Sequence, residues 1–132
     1  MNDEQQIRDL INTWHRATAA GDLDTILELM AEGVVFLIPG VPPMRGRDGF
    51  AAGFRKAIQQ FRIESHSAVQ EIHISGEWAY CWNLLHVTMI PLLGGNQIGR
   101  SGNTLTVLRK NATGKWVVFR DANMLMSEPP AG

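Results

Sequence analysis

The residues whose types can do chemistry are few: four histidines (His15, His66, His73 and His86), a single cysteine at Cys81, and an acidic side chain, Asp121, inside the run VVFRDAN. No His-x-His or His-Glu-x-x-His spacing occurs and one cysteine cannot complete a ligand set, so no metal site is expected. No Gly-x-Ser-x-Gly frames a serine nucleophile, and LGGN lacks the strand-to-helix setting that cradles a phosphate. Side chains alternate along a strand. Tyr80, Trp82, Leu84, His86 and Thr88 therefore share one face, as do Arg100, Gly102, Thr104 and Thr106, and as do Phe119, Asp121 and Asn123. Cys81 falls opposite Trp82 and is expected to face outward as a quiet thiol. His66 and His73 are expected on opposite faces of their strand. His15, at the edge of a helical apolar stripe, is expected in a solvated or rim position.

The elements that must hold these groups can be read from periodicity. Residues 3–20 place Ile7, Leu10, Ile11, Trp14, Ala17 and Thr18 at helical spacing, with Asn2 or Asp3 as cap and Gly21 as stop. A second helix opens at Asp22, with Leu23, Ile26, Leu27 and Met30 as its stripe and Gly33 as its end. VVFLI reads as the first strand. The loop IPGVPPMRGR then leads to a helix from about Asp48, carrying Phe50, Phe54, Ala57, Ile58 and Phe61 on one side. From Arg62 onward, segments near 62–75, 78–91, 98–109 and 115–125 are rich in β-formers and separated by SGE, LGGN and NATG, which is hairpin chemistry. Helices followed by an antiparallel meander make an α+β domain with helices packed on one face of a curved sheet. A single domain over residues 1–126 is expected, with 127–132 as a flexible tail.

The chain has 132 residues, enough for one domain with a real core. Its 12 basic against 13 acidic residues leave no footprint for nucleic acid or an anionic membrane. The polar start MNDEQQ is unlike a secretory signal, no apolar run is long enough to span a bilayer, and the lone cysteine suits a reducing compartment. A cytoplasmic protein is expected.

The stretches AAGDLDTILELMAEGVVF, PPMRGRDGF, SGEWAY and VLRKNATGKWVVFRD, in this order of elements, resemble the nuclear-transport-factor-2-like superfamily, the cone-shaped, cystatin-like α+β fold shared with ketosteroid isomerase. Within it the chain is similar to the SnoaL-like group, and especially to the SgcJ/EcaC-type branch. The resemblance covers about Glu4 to Asn123. It implies three N-terminal helices over a curved, mostly antiparallel sheet, with a pocket between them and the loop IPGVPPMRGR at the pocket's open end. The alternative for Pro42, Pro43 and Arg45 is a stiff connection and nothing more.

Aligned on that family, the proton-shuttling aspartate of ketosteroid isomerases is replaced by Ile38, the oxyanion tyrosine by Trp14 and the partner carboxylic acid by Thr106. Proton abstraction beside a carbonyl needs a base in reach and donors aimed at the oxyanion, so that particular machine is absent. The resemblance instead puts Trp82 and Leu84 in the pocket, and with them His86. It also turns the face of Phe119, Asp121 and Asn123 inward, opposite Arg100, Thr104 and Thr106. An Asp121–His86 acid/base pair in a half-apolar cavity is then expected, with Trp14 as a donor and no cofactor. The competing reading is a structural Asp121 that satisfies Arg100, the neighbourhood of Arg120 or backbone amides beneath the helices.

Two functions stay open. One is a cofactor-independent isomerase, cyclase or lyase-like enzyme acting on a small organic molecule. The other is a non-catalytic ligand-binding or association module. The outer face, read as Cys81, Asn83, Leu85, Val87 and Met89 with Leu105, Val107 and Val118, is too apolar for solvent and predicts a homodimer through the sheet.

Overall fold

A computed structural model describes residues 2–129; of the expected tail, 130–132 lie outside the described residues. Helix α1 spans Asp3–Ala20. The Asn2 side chain accepts from the Gln5 amide at its start, and Gly21 closes it at φ 67°, a left-handed cap that glycine adopts without strain. Asp22 caps the short helix α2 (Leu23–Glu28) in the same way through Thr25. That helix ends earlier than its apolar spacing suggests. Met30 and Gly33 belong to strand β1 (Met30–Leu37), because Met30 pairs with Val118 rather than continuing the helix.

Strand β2 (Met44–Arg45) folds back on β1, and α3 (Gly46–Ile58) comes next. The Arg47 guanidinium donates twice to the Met30 carbonyl, at 3.0 and 2.7 Å, so the start of α3 is tied to the start of β1. Then come β3 (Phe61–Ser75), β4 (Trp78–Pro91), β5 (Ile98–Lys110), β6 (Trp116–Asn123) and β7 (Met126–Ser127).

The strands form one sheet in the order β2-β1-β6-β5-β4-β3, with β7 against β5. All pairings are antiparallel except β1 with β6. Met126 and Ser127 pair with Ser101 and Arg100, so residues 126 and 127 are part of the sheet. Gly102 permits the approach: a Cβ at that position would collide with the Met124 carbonyl oxygen.

The core lies between the helices and the inner sheet face, around Ile7, Ile26, Met30, Val34, Phe54, Leu108 and Trp116. The Trp116 indole donates to Asp3 Oδ1 at 3.0 Å, and Lys110 Nζ reaches the same oxygen at 3.1 Å, which pins the first turn of α1 to the β5–β6 hairpin. Besides the register shift between Met30 and Val35 on β1, two bulges break the alternation. One falls between Val69 and Glu71 on β3; the other lies on β6, where Val107 pairs with Arg120 but Leu108 with Val118, leaving Phe119 unopposed. No described helix is long and apolar enough to cross a membrane.

Candidate functional site

A cavity of about 110 Å³ lies between α1 and the inner face of β3 to β6. Its apolar wall comes from Leu10, Ile11 and Trp14 on α1, and from Cys81, Leu85, Leu108 and Val118 on the sheet. Its polar atoms belong to His15, Ser67, Asn83, Thr104, Thr106 and Asp121. Trp14 is held in place by edge contact with Phe50 and by Phe36.

Asp121 sits where β6 pairs with both Thr106 of β5 and Phe36 of β1. The Thr106 hydroxyl donates to its Oδ1 at 2.6 Å. No arginine, lysine or histidine among the described residues forms an ion pair with it. Burial in this setting pushes its carboxyl up from 3.8 to about 6, with the Thr106 hydrogen bond pulling the other way. Arg100, which could have neutralised it, is exposed and pairs across β5 to Ser127 and Val87.

The second polar group is His15. Its Nδ1 lies 2.7 Å from Ser65 Oγ and its Nε2 2.8 Å from Ser67 Oγ. Burial, with a smaller effect from the charge of His66, lowers its pKa and favours the neutral ring. Asn83 is buried, and its Oδ1 faces the Cys81 thiol at 3.1 Å. Burial drives that thiol up to about 11, so Cys81 is unreactive although it faces the cavity and not solvent.

Of the residues singled out from the sequence, Trp14, Thr104, Thr106 and Asp121 meet in this cavity. His86 does not. It pairs with His66 across β3–β4 on the outer face, where the two rings stack at 5.0 Å and His86 Nδ1 meets Glu128 Oε1 at 3.3 Å. The sheet separates it from Asp121, so the two make no pair.

Trp82 and Leu84 are likewise outside, 42% and 39% exposed, and the inner positions of β4 are Cys81, Asn83 and Leu85. The phase of β4 is thus the reverse of that expected, and the outer-face set Cys81, Asn83, Leu85 is in fact inward. Val118 also faces in. The β6 bulge turns Phe119 outward, against Trp78 and under the Arg120 guanidinium at 3.9 Å. The β3 bulge puts His73, paired with Tyr80, on the same outer face as His66.

Asn123 pairs with Thr104, but its Oδ1 accepts from the Leu125 amide and it does not line the cavity. Ile38 packs against the core, also outside the lining. No residue of the loop IPGVPPMRGR is in the cavity lining either, and its Met44–Arg45 segment is β2. His15 lies in the cavity wall and not at its rim. Its one visible signal was its position one residue after Trp14, on the flank of the α1 stripe.

This cone of helices over a curved, mostly antiparallel sheet is the fold of the nuclear transport factor 2-like superfamily. Residues 11–125 match the SnoaL-like domain, and the chain belongs to that family. No curated protein matches its sequence. Among solved structures, a conserved protein from Planctomyces limnophilus DSM 3776 is 32% identical, with TM-score 0.92 over 96% of this chain and 98% of that one. A ketosteroid isomerase-like protein from Erwinia carotovora atroseptica SCRI1043 is 21% identical, with TM-score 0.81 over 98% of this chain and all (100%) of the other. A type 2 hexachlorocyclohexane dehydrochlorinase, LinA, is 11% identical, with TM-score 0.84 over 98% and 89%. The last two likenesses concern the fold alone.

Proposed function

We propose that the chain is a cofactor-independent acid/base enzyme acting on a small, mostly apolar organic molecule held in the cavity, with Asp121 as general base. The observation that carries this reading is the state of Asp121: a carboxyl facing a mostly apolar cavity, with one hydroxyl partner and no cation paired with it among the described residues. A structural carboxylate at such depth is normally paired, because an unpaired buried charge is costly. A carboxylate titrating near 6 is largely ionised at neutral pH and is a stronger base than an ordinary aspartate, which suits removal of a proton from carbon. Isomerase-like and dehydrochlorinase, the words attached to two fold neighbours, are activities that one such base can serve. The cavity size favours a ligand of about one ring, since an engineered cavity of about 150 Å³ holds benzene.

A second reading rests on the outer face. Leu37, Ala122, Leu105 and Trp82 are paired in register across β1, β6, β5 and β4, and the three large ones are 47%, 45% and 42% exposed. Leu84, two residues from Trp82, adds to the patch. A continuous apolar row of this kind suits a homodimer through the sheet, or association as the chain's whole role.

Proton abstraction can be detected without knowing the product. The chain would be incubated in D2O with a panel of small ketones and followed by NMR for deuterium entering the carbon next to the carbonyl. Exchange that is lost in Asp121→Asn while the fold is kept supports the base. Exchange that persists unchanged in that variant refutes it.

A further inference from the structure

His15, Ser65 and Ser67 form a hydrogen-bonded chain whose heavy atoms are fixed and whose protons are not. Each imidazole nitrogen is within 2.8 Å of a serine hydroxyl, Ser65 on Nδ1 and Ser67 on Nε2. A neutral imidazole has one donor and one acceptor nitrogen, and a hydroxyl can serve as either partner. Both tautomers therefore satisfy the same geometry. In one, Nε2–H donates to Ser67 Oγ, which leaves the Ser67 proton free, while the Ser65 hydroxyl donates to Nδ1. In the other, the Ser67 hydroxyl donates to Nε2 and only its lone pairs remain, while Nδ1–H donates to Ser65 Oγ.

Ser67 lines the cavity, whereas Ser65 does not. The end of the chain that a ligand meets can thus be a donor or an acceptor with no side chain moving. Asp121 takes no part in this chain, since its hydrogen-bond partner is Thr106. It lies on β6, with β5 and β4 between it and Ser67 on β3, and strands are spaced about 4.8 Å apart.

We propose that Ser67, oriented by His15 and Ser65, is a ligand subsite of the cavity that takes a carbonyl oxygen and a hydroxyl with equal ease by exchanging the His15 tautomer. The substrate class it fits is a small molecule with an oxygen that is carbonyl in one form and hydroxyl in the other, such as a ketone and its enol or a ketone and its alcohol. A fixed donor would bind only the first form and a fixed acceptor would favour the second. His15 here is a positioning residue, since Ser67 is the group that touches the ligand. The subsite rests on the cavity being a small-molecule site and not on Asp121 being its base.

Two ring-sized probes separate the states: cyclohexanone, which only accepts, and pyrrole, whose N–H only donates. The His15 ring nitrogens would be followed by long-range 1H–15N NMR as each probe is titrated into the full chain. Cyclohexanone should shift His15 towards the Nε2–H tautomer and pyrrole towards Nδ1–H. Ser67→Ala should abolish both responses and weaken cyclohexanone about 3- to 10-fold, the worth of one hydrogen bond. The His15 tautomer reports on the subsite and deuterium exchange in Asp121→Asn reports on the base, so loss of the base role and loss of the subsite are distinguishable. The same tautomer with both probes, responses that survive Ser67→Ala, or no binding of either probe at millimolar concentration would each overturn the subsite.

Discussion

The two faces of strands β4 to β6 are made from alternate residues of the same segments, yet they present opposite problems. Inside, Asn83, Thr104, Thr106 and Asp121 are small or polar and face a cavity. Outside, Trp82, Leu84 and Leu105 are large, apolar and left 39–45% exposed. A sheet whose only task was to bury a core would put these sets the other way round. On the proposed function, the exposed apolar row is where the sheet would meet another surface, and the polar groups set among Leu85, Leu108 and Val118 are where it would meet a ligand.

The largest effect expected inside is from Asp121→Asn. Loss of a general base should lower α-proton exchange by at least about 100-fold, measured as deuterium incorporation, with the circular dichroism spectrum unchanged. The largest effect outside is from Leu105→Asp, which places a charge in the middle of the apolar row. It should weaken a sheet-to-sheet dimer by about 100-fold or more, read by sedimentation, and leave the exchange activity of the cavity intact. A wild-type chain that sediments as a monomer at micromolar concentration would remove the outer half of the contrast.

These two faces also show how far the sequence could be read. Helix α1 was legible to the residue, because its apolar spacing, its Asn2 cap and its Gly21 stop agree. The strands after Phe61 were legible because tight-turn residues bound them. The phase of β4 was not. Both of its faces carry apolar residues, so alternation separates Trp82 from Asn83 without saying which is inside. The bulges at Gln70 and Phe119 each flip the parity of the residues beyond them, and pairing partners, not local composition, reveal them. His15 was legible only as a flank of α1, since the serines that hold it lie 50 and 52 residues away. Asp121 and Thr106 line the cavity as a directly paired couple just past the β6 bulge, and it was the family resemblance, not alternation from Phe119, that turned this face inward.

Smaller effects sharpen the contrast further. Asp121 has a raised pKa in the folded state, so between about pH 4 and 6 the folded chain holds a proton that the unfolded chain has lost. The stability this confers is fully present below the unfolded value and is lost as pH rises through about 6. Asp121→Asn should remove that dependence and raise stability at pH 7 by roughly 1–3 kcal/mol, reduced to the extent that cavity water solvates the carboxylate. Urea melts of both chains from pH 4 to 8 would measure it. The least effect belongs to the outer pair His86–Glu128, whose side chains are 42% and 41% exposed. Glu128→Gln should cost no more than about 1 kcal/mol and change nothing in the cavity.

The interior face holds a carboxylate tuned by burial and by one hydroxyl. Its most direct measurement is a 13C NMR titration of the Asp121 carboxyl in the wild-type chain and in Thr106→Val. The midpoint should lie near 6 in the first and move upward by roughly one pH unit in the second as the charged form loses its donor. A wild-type midpoint near 4, unmoved by the threonine substitution, would contradict that tuning.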